Sequence, residues 1–339
     1  MKAIGYFATG PPDVLTDIEV ATPLAGPRDL LVAVRAVSVN PVDTKVRRRK
    51  TPPAGQPWVL GYDAAGVVEA VGADVTLFKP GDEVFYAGTS GRPGTNAEYH
   101  AVDERLVGPK PRSLSFADAA ALPLTSVTAW ELLLDRMRIP RNHGGAPETL
   151  LVLAGAGGVG SILIQLARAL TNLTVIGTAS RPETAAWVRQ MGAHHVVNHH
   201  RPIPEAVREC GIACVDYLAA LTTTPGRMAE LAEIAAPQST VGFIDDVDEG
   251  VSAFKSKSIT MCWEFMFTRS VFETPDMAAQ HAILVEVSRL IDAGTLRTTA
   301  TTNAGSIDAQ NLRSVHALVE SGGSIGKTVL AGFSRSSHE

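Results

Sequence analysis

Apolar and polar positions change rhythm twice along this chain. Up to about residue 122, short apolar runs alternate with turns. Leu30-Leu31-Val32-Ala33-Val34-Arg35-Ala36-Val37, Gly66-Val67-Val68-Glu69-Ala70-Val71 and Glu83-Val84-Phe85-Tyr86 are three such runs. Pro80-Gly81-Asp82 and Gly91-Arg92-Pro93-Gly94 punctuate them. Many short strands with this punctuation predict a β-barrel or sandwich-like domain.

From Ser115 the pattern turns helical. Ser115-Phe116-Ala117-Asp118 resembles a capped helix start. Residues 126–137 predict a longer helix, with Trp130, Leu133 and Leu134 on one side. Strands and helices then alternate. Thr149-Leu150-Leu151-Val152-Leu153 is a continuous apolar run, as a strand buried on both faces requires. Helices are expected at 160–170 and 181–191, and strands at 173–178, 195–197, 215–218 and 239–243. This predicts an α/β fold with a doubly wound parallel sheet. After about residue 267, a helix at 277–293 carries Ile283, Leu284, Val287, Leu290 and Ile291 at helical spacing. A helix at 308–320 leads to a last strand, Lys327-Thr328-Val329-Leu330. The expected organisation is a first domain at 1–122, a second at 123–267, and a return to the first at 268–339.

Composition narrows the function classes. The 339 residues carry a formal net charge of −5, which argues against a polyanion-binding surface. Arg47-Arg48-Arg49-Lys50, beside Pro52 and Pro53, reads as a solvated loop, so no nucleic-acid partner is expected. No apolar run reaches the roughly 18 residues of a membrane span, so no membrane partner is expected either. The N-terminus lacks a signal-peptide pattern, which makes the cytoplasm the default location. Three cysteines, Cys210, Cys214 and Cys262, cannot build a disulfide framework.

The strongest local signal is Gly155-Ala156-Gly157-Gly158-Val159-Gly160, between the strand ending at Leu153 and the helix that follows. This context is the dinucleotide-binding fingerprint. Gly155 is expected to allow the tight turn, Gly157 the close approach of a pyrophosphate, and Gly160 the packing of helix on sheet. The helix N-terminus offers N–H groups and a positive dipole end to phosphates. At the end of the second strand stands Thr178-Ala179-Ser180-Arg181, with no acid before Glu183. An acid there would bind the ribose hydroxyls of NAD. Ser180 and Arg181 instead suit a 2′-phosphate, which points to NADPH.

Gly61-Tyr62-Asp63-Ala64-Ala65-Gly66, followed by Gly72 and Val75, resembles the medium-chain dehydrogenase/reductase superfamily. Lys79-Pro80-Gly81-Asp82-Glu83-Val84 and Gly326-Lys327-Thr328-Val329-Leu330 are similar to it too, so the resemblance covers nearly the whole chain. It implies a chaperonin-10-like (GroES-like) β-barrel catalytic domain split by a Rossmann domain, with the active site in the cleft between them. Ser38-Val39-Asn40-Pro41-Val42-Asp43 resembles the quinone oxidoreductase branch, whose members usually pair as homodimers through the edge of the Rossmann sheet. By this resemblance, Asn40, Tyr62 and Leu124 stand where zinc-dependent members have Cys, His and a third ligand, and none suits zinc. The region of the structural-zinc lobe, 85–99, has no cysteine. His199, His200, Cys210 and Cys214 are the other metal-type side chains. Adjacent histidines on an extended segment point apart, and Cys214 enters a strand, so no metal is expected.

The chemistry left is hydride transfer from NADPH to a quinone or an activated enone or carbonyl, with the protein supplying position and shape. Asn40 is a candidate to hold the nicotinamide ribose or the substrate oxygen. Tyr62 is a candidate hydrogen-bond donor or a packed aromatic. Asp63 is expected to order the cleft. Thr125 and Thr128 resemble positions lining the nicotinamide. Thr222, Phe243 and Ile244 follow strands 215–218 and 239–243, at the carboxyl ends where ligands bind in such sheets. His199 stands where the branch often has a Tyr on the adenosine phosphate. Trp263, Phe265, Met266 and Phe267 form an apolar cluster that fits a substrate wall, a dimer interface or plain core. Two other readings stay open: an alcohol dehydrogenase with atypical ligands, and a non-catalytic NADPH-binding protein.

Overall fold

The computed structural model describes residues 1–141, 148–222, 226–247 and 250–333. Two compact units emerge, Met1–Val127 with Phe267–Glu339, and Thr128–Met266.

In the first unit the early strands are Lys2–Tyr6 (β1), Thr16–Glu19 (β2), Asp29–Ser38 (β3), Trp58–Val59 (β4), Ala64–Val71 (β5), Glu83–Tyr86 (β6), Tyr99–Asp103 (β7) and Val107–Pro109 (β8). The C-terminal segment adds Ala300–Asn303 (β15) and Lys327–Ala331 (β16). Among the described residues they form two sheets, β2-β1-β4 and β15-β16-β3-β5-β6-β8, with β7 also pairing β3. The return of the tail is therefore a sheet bond, since Val329 of β16 pairs antiparallel with Ser38 of β3. Ile4, Tyr6, Leu30, Val32, Val37, Tyr86, Val107 and Leu330 belong to one buried core. Gly66 keeps β5 against β3, because a Cβ there would lie 2.3 Å from the Ala33 carbonyl oxygen.

In the second unit lie Thr149–Val152 (β9), Thr174–Thr178 (β10), His195–Val197 (β11), Val215–Ala220 (β12), Ala235–Phe243 (β13) and Thr260–Trp263 (β14). All pairings are parallel, in the order β11-β10-β9-β12-β13-β14. The chain starts in the middle, at β9, and winds outward both ways, which is the doubly wound topology. Leu151, Ile176, Leu218, Val241 and Phe243 pack into its core.

Two expectations are corrected. Arg47 is not in a solvated loop: it sits on the helix Pro41–Arg49 and is fully buried. Its guanidinium meets His316 Nδ1 at 2.8 Å, the Gly10 carbonyl oxygen at 3.0 Å, and Glu320. The helix expected at 126–137 starts earlier and changes register. Pro123–Trp130 is α-helical and Glu131–Arg136 is a π-helix.

Candidate active site

In the second unit the loop after β9 is held from both ends. Ala154 N donates to Thr178 Oγ1 at 3.0 Å, and Gly155 N donates to the Thr178 carbonyl at 3.1 Å. Thr178 thus fixes the loop rather than facing outward, and it is buried. The left-handed residue of the turn is Ala154, with φ 53°, not Gly155 as the fingerprint suggests. Gly155 serves close approach: a Cβ would sit 3.2 Å from Val188 and 3.4 Å from Gly177 Cα. Gly160 is more demanding. A Cβ there would lie 2.5 Å from the Ala154 carbonyl oxygen and 2.8 Å from Gly155 Cα.

The helix that follows is Gly158–Leu170, with Gly157 as its N-cap, two residues earlier than expected. Gly157, Gly158 and Val159 stay partly exposed, while Ala156 and Gly160 are buried. A Cβ on Gly157 would meet only the Ala154 oxygen, at 3.4 Å, so the loop leaves open space on its other side. Unmade N–H bonds in the first turn, the helix dipole and this open backbone suit a dinucleotide pyrophosphate.

Around this loop the strand ends are level. Thr178 of β10 pairs with Val197 of β11, and Ala179 N donates to the Val197 carbonyl at 3.0 Å. Ser180 is half-buried and Arg181 exposed, just beyond β10. The Arg181 guanidinium pairs with Glu183 at 3.0 Å, between side chains 43% and 57% exposed. So exposed a pair is weak and can be exchanged for a stronger anion. His199 follows β11, and burial, with His200 and Arg227 nearby, lowers its pKa. Its ring meets that of His200 edge-on at 5.0 Å, so the two histidines do not point apart. Arg227 donates to the His199 carbonyl oxygen at 2.5 Å. Thr222 is exposed beyond β12, Phe243 is buried at the end of β13, and Ile244 is half-buried. Thr128 is buried on the helix Pro123–Trp130. Trp263 and Phe265 are exposed, whereas Met266 is buried.

In the first unit a buried polar cluster surrounds Asp63. Its Oδ2 accepts from Ser38 Oγ at 2.8 Å, Asn40 Nδ2 at 2.7 Å and Lys327 Nζ at 3.1 Å. Its Oδ1 accepts from Leu124 N at 2.8 Å, at the start of the helix Pro123–Trp130. Lys327 spends its other donors on the Val39 carbonyl at 2.9 Å and Asn40 Oδ1 at 2.6 Å. Asp63 and Lys327 are an ion pair with side chains 0% and 3% exposed. Asn40 is thus hydrogen-bonded through both ends of its amide, to Asp63 and to Lys327. Asp63 ties together β3, β5, β16 and the helix start, which is an ordering role. Asp43 lies beside them, accepting from Asn40 N at 2.7 Å and Gly61 N at 3.1 Å. Burial pushes its pKa up to about 7, helped by Asp63.

Tyr62 precedes Asp63 and is buried, its ring edge-on to Phe267 at 5.1 Å. Burial raises its phenol well above the ordinary value, and Asp43 adds to this. Tyr62 therefore stays protonated across the working pH range, a donor rather than a base. The Thr125 hydroxyl donates back to the Leu122 carbonyl at 3.1 Å. Sequence reasoning did not single out Ser38 or Lys327 as site residues. The Gly326-Lys327 motif was visible, but not the bond Lys327 makes 264 positions away.

Asn40 and Tyr62 are not the thiolate and imidazole that zinc favours, and Leu124 has no ligand atom. Two acids, Asp43 and Asp63, remain near Lys327, whose ammonium opposes a cation. Among the described residues no group of three His, Cys, Asp or Glu could hold a metal ion. These residues do not fit zinc.

Residues 26–112 match the family described as Alcohol dehydrogenase GroES-like domain, and residues 158–280 that described as Zinc-binding dehydrogenase. A Staphylococcus aureus relative, a zinc-type alcohol dehydrogenase-like protein, is 41% identical over 338 residues, covering 97% of this chain and 99% of the relative. A solved structure from Rhizobium etli, named after the zinc-dependent alcohol dehydrogenases, is 52% identical with a TM-score of 0.95 and 99% of both chains covered. An Arabidopsis thaliana NADPH-dependent alkenal/one oxidoreductase of the chloroplast is 39% identical over 209 residues, 59% of this chain and 52% of that one. Identity at this level over nearly all of both sequences, on a GroES-like domain joined to a Rossmann sheet, places the chain in the medium-chain dehydrogenase/reductase superfamily of oxidoreductases.

Proposed function

We propose that this chain is an NADPH-dependent reductase that delivers hydride to a quinone or an activated enone or carbonyl, without zinc. The observation that carries this reading is the end of β10. Ser180 and Arg181 stand beside the Gly155–Gly160 loop where an NAD site would place an acid. The alkenal/one oxidoreductase named above supports the same cofactor and substrate class.

NADPH, when bound, supplies the hydride from its reduced ring. The first-turn N–H groups at Gly158, Val159 and Gly160 hold the pyrophosphate, with Gly157 leaving room for it. Arg181 leaves Glu183 for the 2′-phosphate, a bidentate partner of greater charge. His199 adds a donor on the same side. Thr128, Thr222, Phe243 and Ile244 border the nicotinamide. Asn40, Ser38 and Lys327 hold Asp63, and Asp63 anchors the helix start carrying Leu124 and Thr125. Tyr62, buried beside this cluster, keeps its O–H as a donor.

Among the described residues no set supports Lewis-acid activation, so the acceptor must be electrophilic by itself. Reducing an enone adds the hydride to carbon and one proton to the resulting enolate. Water supplies the proton. We also propose a homodimer paired along β14, the last strand of the parallel sheet, where Trp263 and Phe265 are exposed.

The test is NADPH oxidation by the purified chain against quinones, enones, unactivated aldehydes and secondary alcohols with NADP. Turnover confined to quinones or enones is the expected result. Turnover only with simple alcohols or aldehydes would overturn the substrate class. No turnover with bound NADPH would favour a binding role.

A further inference from the structure

We infer that Glu131 and Glu264 share one proton and, with Arg136, act as a positioning pair that fixes the carboxyl ends of β13 and β14. The role for cofactor binding rests on the reading above, in which Phe243 at the end of β13 borders the nicotinamide. The pair itself does not.

The geometry starts in the helix. Glu131 and Arg136 are five residues apart, which on an α-helix of 3.6 residues per turn would separate them by about 140°. The segment Glu131–Arg136 is instead a π-helix, with Met137 N donating to the Leu132 carbonyl five residues back, at 2.9 Å. A π turn brings residues i and i+5 onto one side, and such turns concentrate at functional sites. Both side chains then reach Glu264, just past β14. Arg136 Nε donates to Glu264 Oε2 at 2.8 Å, and Arg136 Nη2 lies 3.7 Å from Glu131 Oε2. The π-helix seats directly on β13, since a Cβ on Gly242 would lie 2.6 Å from Leu132 and 3.1 Å from Met137. Glu264 N donates to the Phe243 carbonyl at 2.8 Å, and the Phe243 ring stacks on Trp263 at 5.3 Å.

Both carboxyl side chains are 0% exposed. One guanidinium cannot neutralise two buried carboxylates, and a buried unpaired charge is costly. Both acids meet the same guanidinium, so a proton on one of them is what removes the second buried charge. Burial first, and then Glu131, push Glu264 up to about 9. The groups that face it are Glu131 and Arg136 from the π-helix and Cys262 from β14, whose thiol burial pushes up to about 11. The cluster is therefore neutral at pH 7: one carboxylate, one carboxylic acid, one guanidinium. The two carboxyls are buried and only Arg136 reaches solvent, so the pair acts through the strands it holds. It sets where Phe243 and Trp263 stand.

The test compares the full-length wild type with Glu264→Gln and Glu131→Gln. An amide keeps a donor between the two positions and has no proton to lose. Melting of the cofactor-free protein is followed from about pH 6 to about pH 10. A carboxyl whose folded pKa is raised contributes stability at low pH and loses it as pH climbs through the folded value. The wild-type Tm should thus fall toward about pH 9, and either variant should flatten that fall. NADPH affinity, read by tryptophan quenching, should drop about tenfold in the wild type between about pH 7 and about pH 10, and under about twofold in the variants. Variants that melt as steeply as the wild type would overturn the shared proton. Flattened melts with unchanged NADPH profiles would overturn the positioning role. A wild type that binds no NADPH at any pH would refute the cofactor reading and the positioning role with it. The melts would still decide the proton.

Discussion

Arg181 holds an exposed partner, Glu183, that a phosphate can replace. A charge-assisted, bidentate contact to phosphate is worth on the order of 1.5–3 kcal/mol, roughly one to two decades in affinity. Arg181→Ala should weaken NADPH by that factor and leave NADH within about twofold. Equal losses for both, measured by titration, would mean that Arg181 supports the loop rather than reads the phosphate. Lys327 makes the opposite kind of pair, sealed and spending each donor on an acceptor. Lys327→Met leaves the buried Asp63 charge without its cation. It should lower unfolding free energy by about 3–5 kcal/mol in urea titration. A loss under about 1 kcal/mol, the value of a surface pair, would show that the cluster relaxes around water.

Elements set what those residues can reach. Gly160 decides whether the helix Gly158–Leu170 can lie against the turn that precedes it. Gly160→Ala forces a Cβ onto the Ala154 oxygen. It should cost about 1–3 kcal/mol of stability and weaken NADPH and NADH alike, in contrast to Arg181→Ala. Unaltered affinity for both would separate the loop from cofactor binding. These local features were legible in the sequence because strand, loop and helix lie within a few residues of each other. Glu83–Tyr86 and His195–Val197 were placed residue for residue by the same kind of signal. Long-range contacts were not legible. The apolar spacing of 126–137 fits one α-helix, and the π register becomes intelligible only beside Glu264, brought to it by the sheet. Arg47 reads as one of four basic residues in a row, until His316 and Glu320 close over it from the helix Ala309–Glu320. The strand Lys2–Tyr6 was missed because its partner Thr16–Glu19 is mostly polar and shows no apolar alternation.

At the scale of the whole molecule the parallel sheet ends at β14, with Trp263 and Phe265 exposed beside an edge that has one neighbour among the described residues. Sedimentation at micromolar concentration should give a dimer, and Trp263→Glu should shift it toward monomer. A wild-type monomer at that concentration would contradict pairing along this edge. We propose, at this scale, that a superfamily whose names carry zinc includes a chain that keeps the fold and works without the metal. Asn40 and Tyr62 stand at two of the positions where the resemblance implies ligands, and a lysine ammonium bonds to the Asn40 side chain. Elemental analysis of the turnover-active enzyme, with activity followed in chelator, tests this most directly. The account predicts far less than one zinc per chain and activity unaffected by chelation. About one zinc per chain, with activity lost on its removal and restored on its return, would contradict it.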